Sequence, residues 1–531
     1  MTSSSSSSSS SKDKKFYINN AIAYLNGPPH IGHLLEYVQI DAVARFYKMK
    51  GENVVFQVGT DEHGVKIYDT ATKMQITPQE LVDQNYLQFV KMFEGLGLSH
   101  DRILRTTDKE KHLPSVEKMW NVLMSKGDIY KKNYKGTYCA GCESFKTESE
   151  LDDSGKCPIH QNQTPKIVEE ENYFFKLSKY QDQIEKIIES DQYEIIPKSR
   201  KNEILSFIKG GLQDVSFSRP ADILPWGIKV PGDPNHVIYV WCDALVNYIS
   251  GSGYGYDDER FAREWPAQIH LIGKDILRFH AAIWPAMLLS AGIDLPKRIF
   301  VHGFILAPSG QKMSKSEGNV IDPILLLEKY GPNPIRYFML HSINAGSDSA
   351  YSEDLLIESY NSNLANNYGN LLNRTLGLAK KNNITTIDGI DKSKLTDDDK
   401  ELLSKIDVDL VAKYLEKMGH FEFNFALDAV FAFLSEVNRY FTKMAPWGLK
   451  GEENLPRLKQ ILYITLESLR VATILLTPVI PESSKKFFDY FSIKRDSFKD
   501  TTFDYNLCFN IAEGLILFPR LEREKEKEKE K

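Results

Sequence analysis

Residues 16–33 read FYINNAIAYLNGPPHIGH. Phe16 to Ile22 has the apolar content and length of a strand, and Ile31 to Lys50 carries Leu34, Leu35, Val38, Ala42, Val43 and Phe46 at helical spacing. Gly51 stops that helix, and Asn53 to Val58 reads as a second strand. Strand, helix and strand form a βαβ unit, the repeating piece of a parallel sheet. The turn from the first strand into the helix contains Gly27 and the string Pro29-His30-Ile31-Gly32-His33, so two imidazoles fall where a helix begins.

Working outward, Thr77-Pro78-Gln79-Glu80 is a capping box with proline at the first helical position, opening a helix that ends near Gly95. The second half of the α/β core returns much later, with Gln268 to Ile272 as a strand, Asp275 to Ser290 as a helix and Arg298 to Ile305 as a strand. Residues 117–224 lie between the halves, have mixed patterning and suit a subdomain looped out of the sheet. Beyond Ser352 strand signals largely vanish, and Asn363 to Lys381 and Ala426 to Thr442 read as helices of a bundle. The expected division is a serine-rich leader (1–15), an α/β domain (16–116 and 225–295), the insertion (117–224), a loop-and-stem region (296–354), a helical domain (355–515) and a charged tail (516–531).

That loop-and-stem region holds a second motif, Lys312-Met313-Ser314-Lys315-Ser316, with Gly310 before it and Gly318 after it. A helix N-terminus carries free N–H groups and a positive dipole end, where a triphosphate can lie with His30 and His33 donating to its α-phosphate. Gly32 between them permits close approach. Two lysines three apart on a loop can close over pyrophosphate as point charges. Alone, two histidines at a helix start are also an ordinary surface feature, and a K-x-x-K is also a solvated basic loop. Together, at carboxyl ends of parallel strands, they describe a site for a nucleoside triphosphate. No G-x-G-x-x-G or G-x-x-x-x-G-K-[ST] occurs, so neither a nicotinamide enzyme nor a P-loop ATPase fits.

The 531 residues imply two to four structural units. A hydrophobic content of 42% is ordinary for a globular protein, and no apolar run is long enough to cross a bilayer. A net charge of −6 offers no global attraction to nucleic acid, so an RNA partner needs local basic surface. Five cysteines make no disulfide scaffold in so long a chain. Cys139-Ala140-Gly141-Cys142 and Cys157-Pro158-Ile159-His160 are two knuckles with zinc spacing, and three thiolates with one imidazole fill a tetrahedron. The metal reads as structural, because no coordination position stays open; a redox C-x-x-C would leave the second knuckle unexplained. Cys242 and Cys508 read as ordinary buried thiols.

With both motifs in view, the chain resembles the methionyl-tRNA synthetase family of class I aminoacyl-tRNA synthetases, whose HIGH and KMSKS signatures match His30 to His33 and Lys312 to Ser316. Gly59-Thr60-Asp61-Glu62-His63-Gly64, Tyr239-Val240-Trp241-Cys242-Asp243-Ala244, His270-Leu271-Ile272-Gly273-Lys274-Asp275 and Ala445-Pro446-Trp447 carry the same resemblance, which runs from Phe16 to about residue 480. It implies a Rossmann-like parallel-sheet catalytic domain with an inserted zinc-binding subdomain and a C-terminal α-helical bundle, of the compact bacterial or organellar type. It also implies the two-step joining of L-methionine to tRNA(Met), through methionyl-adenylate formed from ATP, with Mg²⁺ arriving with ATP. His30, His33, Lys312 and Lys315 would be catalytic, and Gly32, Ser314 and Ser316 would join them in binding ATP.

By the same resemblance, Ile22, Tyr24, Trp241, Ala244, Tyr248, Ile276, Phe279 and His280 would form the methionine pocket, Asp61 would pair with the substrate ammonium, and Trp284 would support the wall. A thioether is soft, gains from aromatic contact, and differs from leucine mainly in shape and in a weak hydrogen bond from a Tyr or His. Asn366, Asn370 and Arg374, four apart on a helix, with Pro446 and Trp447, would read the anticodon by pairing and stacking. Ala23 stands where the family commonly has proline.

Two other readings stay open on the sequence. One is another class I synthetase, for leucine or cysteine; the other is a catalytically dead tRNA-binding or scaffold protein, against which the intact histidines and lysines argue. Absence of an added tRNA-binding or dimerisation domain points to a monomer. Ser3 to Ser11 and the Glu/Lys-rich end from Glu522 to Lys531 are eukaryote-like low-complexity decorations on a bacterial-type body. They favour the mitochondrial matrix, with the cytoplasm as the alternative.

Overall fold

The computed structural model describes residues 14–139, 144–146, 148, 151–158, 164–313, 320–493, 497–512 and 514–523. The chain divides into two compact units, one of Met1–Glu36, Asn53–Phe93 and Ser99–His302, the other of Tyr37–Glu52, Glu94–Leu98 and Gly303–Lys531. Among the described residues no helix is long and apolar enough to cross a membrane.

In chain order, β1 (Phe16–Asn20) and the short β2 (Ala23–Tyr24) precede α1 (Ile31–Met49), β3 (Val54–Asp61), α2 (Val65–Met74), α3 (Pro78–Leu96), β4 (Arg102–Arg105) and α4 (His112–Ser125); α1 beyond Glu36 and α3 beyond Phe93 belong to the second unit and the rest to the first. The expected βαβ unit is present, with one difference at the end of its first strand. The chain leaves β1 after Asn20, and Ala23 and Tyr24 then pair with Thr60 and Asp61 on β3. An antiparallel layer follows, built from β5 (Ile129–Cys139), β6 (Ser144–Lys146) and β7 (Lys166–Phe175). Then come α5 (Gln181–Glu189), β8 (Glu194–Ile196), α6 (Lys198–Lys209) and β9 (Val215–Ser216). A three-stranded sheet of β10 (Ser218–Pro220), β11 (Lys229–Val230) and β12 (Asp233–Ile238) delivers α7 (Val240–Ser250), before β13 (Ile269–Gly273) and β14 (Arg298–His302).

The main sheet has the order β2-β3-β1-β13-β14-β8, with β4 also on β3, and every pairing is parallel. Its central strands are buried: Tyr17 to Asn20 and all of β13 are shielded from solvent, as expected for a parallel sheet covered on both faces. β8 corrects the expectation that residues 117–224 are looped wholly out of this sheet, because Glu194, Ile195 and Ile196 pair with Arg298, Ile299 and Phe300. The insertion's own sheet, ordered β6-β5-β7-β9, shares a core with the rest of the unit: Trp120, Ile129, Phe175 and Phe217 belong to the cluster that contains Trp284 and Met287.

The helix expected from Asp275 to Ser290 is composite, with a 3₁₀ turn at Lys274–Ile276, a π-turn at Phe279–Ile283 and an α-helix at Trp284–Ala291. Pro285 has no amide hydrogen for an i→i−4 bond, and the wider turn ahead of it absorbs the break.

The second unit is mainly helical beyond Ser352, as expected. Glu353–Tyr360, a π stretch at Asn361–Gly369 and Asn370–Lys381 run on without interruption, and Phe423–Met444 contains the predicted Ala426 to Thr442 segment. Leu455–Leu476 is buried along nearly its whole length. On it, Arg470 makes a two-pronged pair with Glu467, Nε to Oε2 at 2.6 Å and Nη2 to Oε1 at 2.5 Å, and also donates to the Asp500 and Thr502 carbonyls. Both side chains are fully buried, so neither charge can fall back on water. Glu467→Ala, which leaves the guanidinium without its carboxylate, should lower unfolding stability in urea by about 3–5 kcal/mol; the double substitution Glu467→Leu with Arg470→Met, which removes both charges, should cost far less.

Candidate active site

His30 is the residue before α1, and its ring caps the helix. Nδ1 accepts from the backbone N–H of Gly32 at 3.1 Å and of His33 at 3.4 Å, while the His30 N–H donates to His33 Nδ1 at 3.2 Å. The rings stack with centroids 3.8 Å apart, and His33 meets Phe89 edge-on. Both Nδ1 atoms accept, so each ring presents Nε2–H as its donor. Backbone donors at Gly32 and His33, expected to be free for phosphate, are thus satisfied by the motif itself. A Cβ at Gly32 would lie 3.0 Å from His30 Cε1, so a side chain there would crowd the ring and make it shift slightly.

One turn beyond His33, Glu36 is buried; its Oε1 accepts from Asn20 Nδ2 at 2.6 Å, and its Oε2 lies 3.2 Å from His302 Nε2. Asn20 and His302 end β1 and β14. The sequence reading missed this carboxylate, although its three-residue offset from His33 on one helix face was visible.

The expected methionine-pocket residues converge in the same unit. Trp241 stacks on Phe279 at 3.8 Å between centroids, with His280 edge-on to Trp241 and Trp284 edge-on to Tyr248. Tyr248 Oη lies 2.7 Å from His280 Nε2, and His280 Nδ1 lies 3.0 Å from the Ile276 carbonyl. A carbonyl only accepts, so the imidazole proton is on Nδ1 and Tyr248 O–H donates to Nε2. Burial holds His280 down, to about 4, so the ring is neutral at pH 7. Burial pushes the Tyr248 phenol well up, with smaller contributions from the charges of Glu36 and Asp61. Of the two donors expected for the thioether, only Tyr248 carries a proton on the side facing its partner. Asp61 ends β3, and the Leu25 N–H holds its carbonyl at 2.9 Å. Ala23 is buried in β2 opposite Thr60, and Tyr24, beside it, is half-buried opposite Asp61.

In the second unit, Lys312 makes a single bridge with Leu306 and holds its ammonium 4.4 Å from the Phe304 ring centroid. Ser314, Lys315 and Ser316 lie outside the described residues, as do Cys142 and His160. Cys139 and Cys157 are both buried, and no metal-holding cluster occurs among the described residues. Cys242 is buried as expected, but Cys508 is exposed, a correction: it precedes a two-residue strand, Phe509–Asn510, whose Phe509 takes the buried position. Asn366 and Asn370 are exposed and Arg374 is partly so. Arg374 sits over Phe441 and over Trp447, 5.6 Å from the indole centroid, while Asn366 accepts from Arg520 at 3.3 Å. The Phe423–Met444 helix ends at Ala445, whose φ is +44°, and a 3₁₀ turn at Pro446–Gly448 leaves Trp447 47% exposed.

The family model described as tRNA synthetases class I (M) matches residues 16–164 and 159–376, and that described as the anticodon binding domain of methionyl tRNA ligase matches residues 391–515. The chain belongs to the methionyl-tRNA synthetase family. The methionine–tRNA ligase of Rhizobium meliloti (strain 1021) is 45% identical to it, over 91% of this chain and 92% of that protein. The one from Caldanaerobacter subterraneus subsp. tengcongensis is 43% identical, over 97% of this chain and 80% of that protein. The solved structure of Mycobacterium tuberculosis methionyl-tRNA synthetase in complex with methionyl-adenylate is similar with a TM-score of 0.90 and 39% identity, covering 96% of this chain and all of that one. As a family member, the chain is an aminoacyl-tRNA ligase that activates methionine and charges tRNA.

The neutral His280 makes a pH prediction. Its folded value, about 4, lies below the ordinary 6.5, so between those values the unfolded chain takes up a proton that the folded chain refuses. Stability should fall as pH drops through that window, and the thermal midpoint of His280→Gln should depend less steeply on pH there than that of wild type.

Proposed function

We propose that the chain divides methionine activation among three places. Methionine's side chain enters the aromatic box of Trp241, Phe279 and Tyr248, with Ile22, Tyr24, Ala244 and Ile276 completing it. Its ammonium pairs with Asp61. Its carboxylate attacks the α-phosphorus of ATP, pyrophosphate leaves, and methionyl-adenylate forms. His30 and His33 stabilise the developing charge through Nε2–H, and Lys312 and Lys315 neutralise the leaving pyrophosphate. Mg²⁺ accompanies ATP and supplies charge on its phosphates. In the second step a hydroxyl of the terminal tRNA ribose, the 2'-OH by resemblance to class I, attacks the activated carbonyl and AMP leaves. The observation that carries this reading is the fully buried Tyr248–His280 pair, 2.7 Å apart, beside the stacked Trp241 and Phe279 rings.

The two buried thiols and the chemistry of the donor set support a structural zinc on Cys139, Cys142, Cys157 and His160, in the insertion at 117–224. Trp447, half-exposed beside Arg374, suits stacking of a splayed anticodon base, with Asn366 and Asn370 offering amides. A monomer in the mitochondrial matrix completes the proposal, supported by the eukaryote-like low-complexity ends on a body related to bacterial enzymes. Imaging of a C-terminal fusion tests the address, and a uniformly cytosolic signal would reject it.

Separation of the two half-reactions tests the assignments. His33→Ala should slow methionine-dependent pyrophosphate exchange about 10²-fold or more with little change in fold. Trp447→Ala should spare exchange and weaken tRNA charging by about 1–3 kcal/mol, the usual worth of a base stack. Equal losses of exchange and charging in Trp447→Ala would make that indole a packing element. For the metal, purified protein should hold one zinc, and Cys157→Ser should lose it; a metal-free wild type would remove the assignment.

A further inference from the structure

Asp243 lies on α7, 1% exposed, and is shared by two imidazoles. Its Oδ2 accepts from His63 Nδ1 and its Oδ1 from His112 Nε2, each at 2.6 Å. His63 is two residues past Asp61, in the turn Glu62-His63-Gly64 that joins β3 to α2. The other side of that turn is also tied. Glu62 is buried and accepts from Thr60 Oγ1 and Arg105 Nε, both at 2.6 Å, and its carbonyl accepts from Trp226 Nε1 at 2.7 Å. Asp243 stands two residues from Trp241, one from Ala244 and five from Tyr248 on the same helix.

We propose that Asp243 is a positioning residue for methionine: through His63 it fixes the strand end that carries Asp61, and it locks that end to the helix carrying Trp241, Ala244 and Tyr248. The inference rests on the ammonium role given to Asp61 above. A carboxylate suits the place because it only accepts, so two N–H donors can be met at once, one on each oxygen. An amide turns an N–H toward one of them. A buried anion costs several kcal/mol unless fully paired, whereas an apolar side chain would fill the same space without that cost. What the anion adds is fixed direction between two parts of a pocket whose ligand must meet a charge and an aromatic box together.

A double-mutant cycle tests this, read as KM for methionine and for ATP in pyrophosphate exchange. Asp61→Asn and Asp243→Asn should each raise methionine KM about tenfold or more and leave ATP KM within about twofold, and the double variant should be little worse than Asp61→Asn alone, because residues coupled through His63 into one unit do not add. His63→Leu should raise methionine KM similarly, and His63→Asn, whose amide nitrogen falls near the place of Nδ1, should recover most of that loss. The His63 pair also serves if Asp243→Asn fails to fold. Multiplicative effects in the double variant, equal rises in both KM values, or no difference between His63→Asn and His63→Leu would overturn the positioning role while leaving Asp61 in place. An unchanged methionine KM in Asp61→Asn would overturn the ammonium reading and this proposal with it.

Discussion

Parallel pairing of β1 with β3 on one side and β13 on the other sets where the polar groups of the first unit can stand. Ile18 and Asn19 lie opposite Phe56 and Gln57 on β3 and opposite Ile269 and His270 on β13, so the three strands end at one edge. β14 continues the register, placing Gly273 opposite His302. The turn after β2 delivers the histidine motif, the end of β3 delivers Asp61, and the ends of β1 and β14 supply Asn20 and His302 to Glu36. A strand covered on both faces offers no other place for polar chemistry, because buried backbone and side-chain polar groups must be satisfied within the sheet.

Around Tyr248 and His280, burial holds groups neutral. Burial drives His280 below its ordinary range and Tyr248 above its own, so both stay uncharged across the physiological range. The Ile276 carbonyl then chooses the imidazole tautomer. A charged imidazolium here would favour a carboxylate or water over a thioether. The Tyr248 proton is spent on His280 Nε2, so the pair meets its neighbours through neutral oxygen and ring surface rather than through a free charge. Asp243 presents the opposite case: burial raises its carboxyl, but His63 and His112 more than offset this and hold it down, to about 2. Its ionised form therefore persists inside the same core.

Much of this was legible in the sequence because it repeats local rules. The Ile31 to Lys50 periodicity fixed α1, the Thr77 to Glu80 box fixed the start of α3 with Thr77 N–H on Glu80 at 2.8 Å, and the string Pro29 to His33 marked the start of α1. What was not legible depends on distance in the fold. Glu194–Ile196 is too short for a periodic signal, and its place beside β14 is a tertiary choice. The π-turn at Phe279–Ile283 follows from Pro285, a cue the apolar spacing masked. His63 and His112 stand 180 and 131 positions before Asp243, and nothing local in any of the three announces the other two. Cys508 was misjudged because a lone cysteine near a chain end carries no pattern.

All of these features meet in one claim, that a neutral aromatic pocket at the carboxyl edge of a parallel sheet selects methionine for activation by ATP. The most direct measurement is pyrophosphate exchange by the purified wild-type chain with methionine, leucine and cysteine supplied one at a time. The account predicts exchange with methionine that exceeds the other two by about 10²-fold or more in kcat/KM. Comparable exchange with leucine or cysteine, or none with any amino acid, would contradict it.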